Sequence, residues 1–350
     1  MLSVFFGDNT TFEIMNKNTE TITPTITRPI FNSGKFISFI RDGQLLKKNQ
    51  KKYKGITIAK HYKGKILKNK FGECYKISAK TKIDTIKPNH DRIKQKLLLD
   101  LKVIAGIAEI TESNLRREGI NSVIELTKHY RYGIDAKTYL NFVENKNAIK
   151  IYEHLTSRRF TSSNPLLLAN SAFFNLSDIA FIDIETLGLS ECPLFLIGIA
   201  TFKDNYLITD QIFVRELKEE KAALHFLNEH LQDKQAIGTF NGKSFDVPFI
   251  RKRMERHDLK HEIALPHFDI KYFSQKAFSN VVSDFKLSTL EEKLFQVERK
   301  EDVSGFEIPY YYRTYIKTKN IGSVVPIIDH NKQDLISTAK IFMKLHDIWS

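Results

Sequence analysis

An α/β fold is the class this sequence predicts for its second half, and two observations predict it. From Ile179 onward, short apolar runs of strand length alternate with longer amphipathic segments of helical period. The apolar runs are bounded by turn residues such as Lys203-Asp204-Asn205, as strands of a buried sheet should be. The first half is different in kind, and the two halves are best read in chain order.

Residues 1–45 are polar and irregular, with TETITPTITRPIFNSG reading as loop or loosely held strands. From about Phe36 to Ile83 come short β-type runs, Lys54–Lys60 and Cys74–Ser78 among them, separated by Gly55, Gly64 and Gly72. They suggest a small basic sheet or hairpin layer, so residues 1–90 are expected to form a smaller basic region with short strands. After Pro88 the pattern turns helical. Asp91–Leu101 carries a basic face and an apolar stripe of Ile93, Leu97, Leu98 and Leu101. Residues 91–160 are therefore expected to be helical. Residues 161–176 lose their periodicity and contain Ser, Asn and Pro, which suggests a linker to a second domain over 177–350.

In that second domain Ile179–Ile184 reads as a nearly wholly apolar strand, followed by strands at Leu194–Phe202 and Tyr206–Phe213. Leu217–Leu231 is an amphipathic helix, Gln235–Phe240 a fourth strand, Ser244–His257 a helix and Phe268–Ile270 a strand end.

Composition narrows the function classes. Hydrophobic residues make up 42% and charged residues 27% of the chain, a globular balance. Cys74 and Cys192 are far apart and belong to no metal-binding cluster, which fits a reducing cytoplasm. The opening MLSVFFGDNTTFEIM lacks a basic flank and a cleavage site. The longest apolar run, Pro193–Phe202, is about ten residues, too short to span a membrane. A soluble, cytoplasmic protein is expected. The net charge of +13 is unevenly divided. Residues 1–175 hold 31 Lys and Arg against 15 Asp and Glu, whereas residues 176–350 hold 23 against 26. A general lysine bias would have charged both halves. The one-sided excess, densest between Lys47 and Lys102, favours a polyanionic partner, and nucleic acid is expected. Oligomeric state is not legible.

Three motifs carry chemistry. Phe181-Ile-Asp183-Ile-Glu185 places two carboxylates on one face of a buried strand, where they repel unless a cation lies between them. Alone, a surface pair would explain it. Phe240-Asn241-Gly-Lys-Ser-Phe245-Asp246 sets an aspartate in the first turn of a helix; an ordinary cap is the plainer reading, although Ser244 would cap more naturally. His330 and Asp334, four apart, share one face at the start of the last helix, where a solvated first turn is equally ordinary.

The combination and order of these blocks resemble the DEDD exonuclease superfamily, and within it the YprB-like RNase H-fold family. His267-Phe-Asp269, Lys286-Leu287-Ser-Thr-Leu290-Glu291, Arg299, Asp302-Val-Ser-Gly305 and Ile308-Pro309 add to the resemblance, which covers roughly residues 178–348. It implies an RNase H-like mixed sheet flanked by helices, and a 3′–5′ exonuclease acting on single-stranded ends. It also implies two divalent cations, Mg²⁺ or Mn²⁺, held by Asp183, Glu185, Asp246 and Asp334, which activate a water and stabilise the leaving 3′ oxygen. In that scheme Asp183 bridges both ions, Glu185 and Asp334 complete the site of the attacking water, and Asp246 holds the second ion. His330 occupies the position that orients or deprotonates the water; its spacing to Asp334 follows the tyrosine-type pattern of the superfamily, which leaves both roles open. Asn241 and Phe245 are expected to shape the groove or support Asp246. Residues 101–120 resemble a helix-hairpin-helix element with its turn at Gly106-Ile107-Ala108, which would bring Lys102, Gly106, Arg116 and Arg117 to nucleic acid. A plain helical packing unit is the alternative there. Tyr310, Tyr311, Tyr312 and Tyr315 either stack on bases or fill the core. Rival functions are a catalytically silent nucleic-acid-binding module and an endonuclease with the same site.

Overall fold

The structure, a computed structural model, describes residues 33–349 apart from 159, 261–262 and 300, with side chains from residue 43 onward. Up to residue 32, the expectation for residues 1–45 falls outside the described residues. Residues 42–350 form one compact unit, and residues 1–41 separate as another.

Helix α1 (Ser33–Lys52) is followed by the short α2 (Ile58–Tyr62), the hairpin strands β1 (Lys65–Asn69) and β2 (Gly72–Lys82), and α3 (His90–Leu99). A helical array follows: α4 (Glu109–Arg117), α5 (Val123–Leu126), α6 (Gly133–Glu144), α7 (Ala148–Ser157) and α8 (Pro165–Ser171). Then come β3 (Ile179–Thr186), β4 (Leu194–Lys203), β5 (Tyr206–Phe213), α9 (Glu220–Leu231), β6 (Ala236–Thr239), α10 (Asp246–Arg256) and β7 (His267–Asp269). The chain ends with α11 (Ile270–Ala277), α12 (Leu287–Phe295), α13 (Ile308–Thr318) and the long α14 (Val325–Trp349). Among the described residues the strands form one mixed sheet of order β1-β2-β5-β4-β3-β6-β7. The pairs from β1 through to β3 are antiparallel, whereas β3/β6 and β6/β7 are parallel. This is the expected RNase H-like arrangement, with helices on both faces.

Several local expectations change. Residues 33–45, read as irregular, lie in α1. Lys54–Lys60, read as a strand, ends in α2, because the Thr57 side chain accepts from the Lys60 N–H at 3.3 Å and starts a helical turn. The β1–β2 hairpin is no separate layer: β2 pairs with β5 from Tyr75↔Phe213 to Lys82↔Tyr206 and extends the main sheet. The stretch read as a linker contains α8. Asn164 caps it, Pro165 fills its first turn, and Leu167, Leu168 and Ala169 are buried. Tyr311, Tyr312 and Tyr315 fill the core, with Tyr312 stacked on Phe195 at 3.9 Å, and Tyr310 is exposed.

Strand β3 separates two cores. Ala180, Ile182 and Ile184 pack with α9, α10 and α13, whereas Ile179 and Phe181 face the helical array and the later part of α14. By the alternation of a strand, Asp183 and Glu185 continue the second of these faces. Helix α14 crosses that end of the sheet against β3, β4 and β5.

Candidate active site

Four carboxylates from β3, α10 and α14 meet at the end of the sheet where β3 and β6 both terminate. The parallel register Phe181↔Gly238 brings the turn after β6 level with Asp183 and Glu185. Asp246, the first residue of α10, reaches back so that its Oδ1 accepts from the Ile184 N–H at 3.1 Å, between the two strand acids. It is not a helix cap, and neither is Ser244, whose hydroxyl lies 3.1 Å from the Tyr272 hydroxyl.

Opposite Asp183 on β4 stands Gly198. A Cβ there would come within 2.4 Å of Asn331 Oδ1 and 2.8 Å of Leu335 Cδ1. The glycine makes the space through which Asn331, from α14, donates to Asp183 Oδ2 at 2.7 Å and to the Asp183 carbonyl at 3.1 Å. Gln211 holds Asn331 in turn, donating to its Oδ1 at 2.8 Å. Gly198→Ala should therefore displace Asn331, destabilise the fold by about 1–3 kcal/mol through overpacking, and loosen Asp183. Urea unfolding checks the first effect; an unchanged midpoint would mean that β4 and α14 separate at no cost.

Asp334 and His330 complete the cluster. They lie in the second and third turns of α14, which begins at Val325, earlier than the sequence suggested. His330 Nε2 is 3.5 Å from Asp334 Oδ2, and its Nδ1 is 2.6 Å from Asp302 Oδ1. Arg299 links the group to the buried Glu291: it donates to Glu291 Oε2 at 2.6 Å and Oε1 at 2.8 Å, and to Asp334 Oδ1 at 2.5 Å. Beside them a cleft of about 310 Å³ is lined by Arg299, Asp302, His330, Gln333, Asn49 and Lys52, among others.

The electrostatics follow from this crowding. Burial, then the charges of Asp334, Asp246 and Glu185, hold the Asp183 carboxyl well above its ordinary range. Glu185 is lifted in the same way by burial and by Asp334 and Asp246. Burial pushes Asp246 up to about 7 even though two backbone N–H groups favour its charged form, and it raises Asp334 against the pull of His330 and Arg299. Burial works against a charged His330, yet its hydrogen bond to Asp302 and the nearby charges of Asp334 and Asp302 raise its pKa. Burial likewise opposes the charged form of Asp302, but the bond to His330 keeps it low.

Among the described residues no three His, Cys, Asp or Glu side chains, as they stand, are arranged to hold a metal ion. One oxygen of Asp183 is engaged by Asn331, one of Asp246 by Ile184 N–H and one of Asp334 by Arg299. The chemistry of the donor set nonetheless suits a hard divalent cation: all oxygen, four like charges, largely buried and mutually repelling. This has a consequence for stability. An acid whose folded pKa is raised favours the fold below its unfolded pKa, and that contribution fades as pH rises through the folded value. For Asp246 the window runs from about 4 to about 7. The cluster's own contribution in EDTA should therefore fall as pH rises, while the buried His267 and His346, whose pKa values burial lowers to about 3 and about 4, act in the opposite direction. The stabilisation gained on adding Mn²⁺ isolates the cluster and should be larger at pH 8 than at pH 5. Urea midpoints with and without Mn²⁺ at those two pH values check this; an equal or smaller gain at pH 8 would contradict the repulsive cluster.

Of the other expected residues, two stand beside the site and the rest lie elsewhere. Asn241 and Phe245 flank the Asp246 turn, and Phe245 packs against Phe249. Lys102 and Arg116 both face Glu112, at 3.7 and 2.7 Å, Arg116 also donates to the Leu99 carbonyl, and Arg117 is near Asn114. Gly106 has φ +78°, as a tight turn requires, but the neighbouring Ala105 N–H is taken by Asp135 at 3.0 Å, which is itself held by Arg158. None of these contacts reaches the carboxylates. Asn331, Gln211, Arg299 and Asp302 were not singled out as site residues. One signal was a lone glycine, Gly198, inside the apolar strand β4.

Sheet order and the site at the end of β3 define an RNase H-like, nuclease-type fold, and comparison with known proteins agrees. The model of the RNase_H_2 family, RNase H superfamily, matches residues 180–346, and over that span the chain is similar to that family. Over 178 residues it is 25% identical to the uncharacterized protein YprB of Bacillus subtilis (strain 168), which covers 49% of this chain and 43% of that protein. The chain thus spans less than half the length of this curated relative. A family B DNA polymerase from the hyperthermophilic archaeon Pyrobaculum calidifontis shares 15% identity at a TM-score of 0.39, over 48% of this chain and 24% of the polymerase. No described helix is long and apolar enough to cross a membrane.

Proposed function

We propose that the chain is a metal-dependent 3′–5′ exonuclease that hydrolyses phosphodiester bonds at single-stranded nucleic acid ends. The observation that carries this reading is the packing of Asp183, Glu185, Asp246 and Asp334 into one another's field at the end of β3, where nothing structural requires four acids. Those four residues would hold Mg²⁺ or Mn²⁺, and the ions would supply Lewis-acid activation of water and stabilisation of the leaving 3′ oxygen. The chain's own groups do the positioning. Asn331 fixes the rotamer of Asp183, the Ile184 N–H fixes Asp246, and Glu291 fixes Arg299 beside Asp334. His330, held between Asp302 and Asp334, is oriented by two carboxylates that favour its protonated form, which suits holding a water or phosphate oxygen more than abstracting a proton. The net +16 of residues 1–175, from 31 basic and 15 acidic residues, supports attraction of a polyanion.

The silent binding module has one observation in its favour, the Arg299 guanidinium already seated on Asp334. Linear and circular single-stranded DNA, incubated with Mn²⁺, separate the readings. Degradation of the linear form alone is expected. Cutting of the circle would replace the exonuclease with an endonuclease, and binding without cutting of either would support the silent module.

A further inference from the structure

Two lysines that the carboxylate site does not use stand near this end of the sheet, Lys243 in the turn before Asp246 and Lys271 in the first turn of α11. Strand β7 lies parallel to β6 with Thr239↔Asp269 in register, so its end, too, opens on the site. There the fully buried Asp269 accepts three backbone N–H groups: Asn241 at 2.8 Å, Lys243 at 3.0 Å and Lys271 at 3.2 Å. One carboxylate thus pins both the turn after β6, where Asn241 has φ +67°, and the first turn of α11. Both lysines are half-buried. The Lys243 ammonium donates to the Ser162 hydroxyl at 3.0 Å, and the Lys271 ammonium donates to Asn241 Oδ1 at 3.1 Å.

Both acceptors are neutral. Among the described residues neither ammonium lies within ion-pair distance of a carboxylate, whereas the comparably sheltered Lys76 is paired with Asp210. The nearby carboxylate is the buried Asp269, whose charge favours the Lys243 ammonium and whose oxygens are already engaged by three backbone N–H groups. Two partly desolvated ammonium groups against that one acid leave an excess of positive charge that favours a further anion. They stand at the same sheet end as the acids, so the anion is one that a substrate would bring there.

We infer that Lys243 and Lys271, with Ser162 and Asn241 as neutral partners, form a subsite for a backbone phosphate of the substrate strand next to the carboxylate cluster. The inference rests on the exonuclease reading and sharpens it. An enzyme that removes nucleotides from a 3′ end has only the retained strand left to grip, so the phosphate held here lies on the 5′ side of the bond being cut. A lysine contact of this kind is indifferent to base and sugar, so DNA and RNA should be affected alike. It also gives Ser162, in the segment between α7 and α8, a place beside the site.

The test is the binding of a 5′-fluorescein-labelled single-stranded DNA decamer to the full chain in EDTA, followed by anisotropy over a salt series. Wild type, Lys243→Met, Lys271→Met and the double variant are compared with Lys218→Met, an exposed lysine remote from the turn. Hydrolysis by wild type in Mn²⁺ is measured alongside. The double variant should bind about ten-fold more weakly, with the slope of log K against log salt flatter by about 0.7, one single-strand phosphate contact. Lys218→Met should change neither, and Lys243→Arg should retain most of the affinity. If the double variant binds with wild-type affinity and slope while wild type still degrades the strand, the subsite is wrong and the nuclease reading survives. If wild type neither binds nor cuts, both fall together.

Discussion

Asp183→Asn is expected to abolish metal-dependent hydrolysis, by at least about 10³-fold, while making the metal-free protein more stable. The two effects share one cause. Asp183 is the acid on which the others converge: its charge is opposed by burial and by Asp334, Asp246 and Glu185, and Asn331 fixes its orientation. A cation that neutralises the cluster would lose its central ligand, and a loss of about 10³-fold corresponds to about 4 kcal/mol of transition-state stabilisation. Without a cation, the same substitution removes one of four repelling charges and keeps a hydrogen-bonding oxygen for Asn331. The urea midpoint in EDTA at pH 8 should therefore rise. A residue that merely holds the fold together would lose stability along with activity. Loss of both would recast Asp183 as structural, and retention of both would empty the site of its meaning.

Arg253→Ala should cost about 3–5 kcal/mol, the largest effect on folding expected from a single substitution away from the site. Arg253 and Glu220 are almost fully buried, with side chains 5% and 2% exposed. The guanidinium donates from Nε at 2.7 Å and Nη2 at 2.5 Å to the two Glu220 oxygens. Glu220 also accepts the Leu194 N–H at 2.9 Å and lies 2.9 Å from His257 Nε2. One carboxylate thus ties the start of β4 to α9 and α10, and removing its cation leaves a charge in the core. Because α10 presents Asp246, the damage should reach the site. Chemical denaturation measures it; a change below about 1 kcal/mol would mean that His257 and Leu194 satisfy Glu220 alone.

The second half was more plainly legible in the sequence than the first, for physical reasons. Strand β3 is apolar on both faces until Asp183, so the two acids stood out against Ile, Ala and Phe. Asp246 and Asp334 were legible from their place in ordered motifs. What escaped depends on contacts distant in sequence. Asn331 carries no role in the sequence until Gly198 is seen to vacate the space beside Asp183, and Arg299, which the sequence offers only as part of the resemblance, has no partner until Glu291 and Asp334 close around it. Strand β2 was read as part of a local layer because its lysines interrupt the apolar pattern; in the fold Lys76 is paired with Asp210 on β5. Helix α8 was hidden by a short, polar-flanked sequence whose start signals, Asn164 and Pro165, also read as a loop.

The central claim, that four carboxylates at the end of β3 hydrolyse nucleic acid from the 3′ end, is tested most directly with wild-type protein on 5′-labelled single strands of DNA and RNA in Mn²⁺ at neutral pH. The account predicts a ladder of labelled products shortening one nucleotide at a time from the 3′ end, absent in EDTA. A strand that stays full-length on the protein, with Mn²⁺ present, would contradict it.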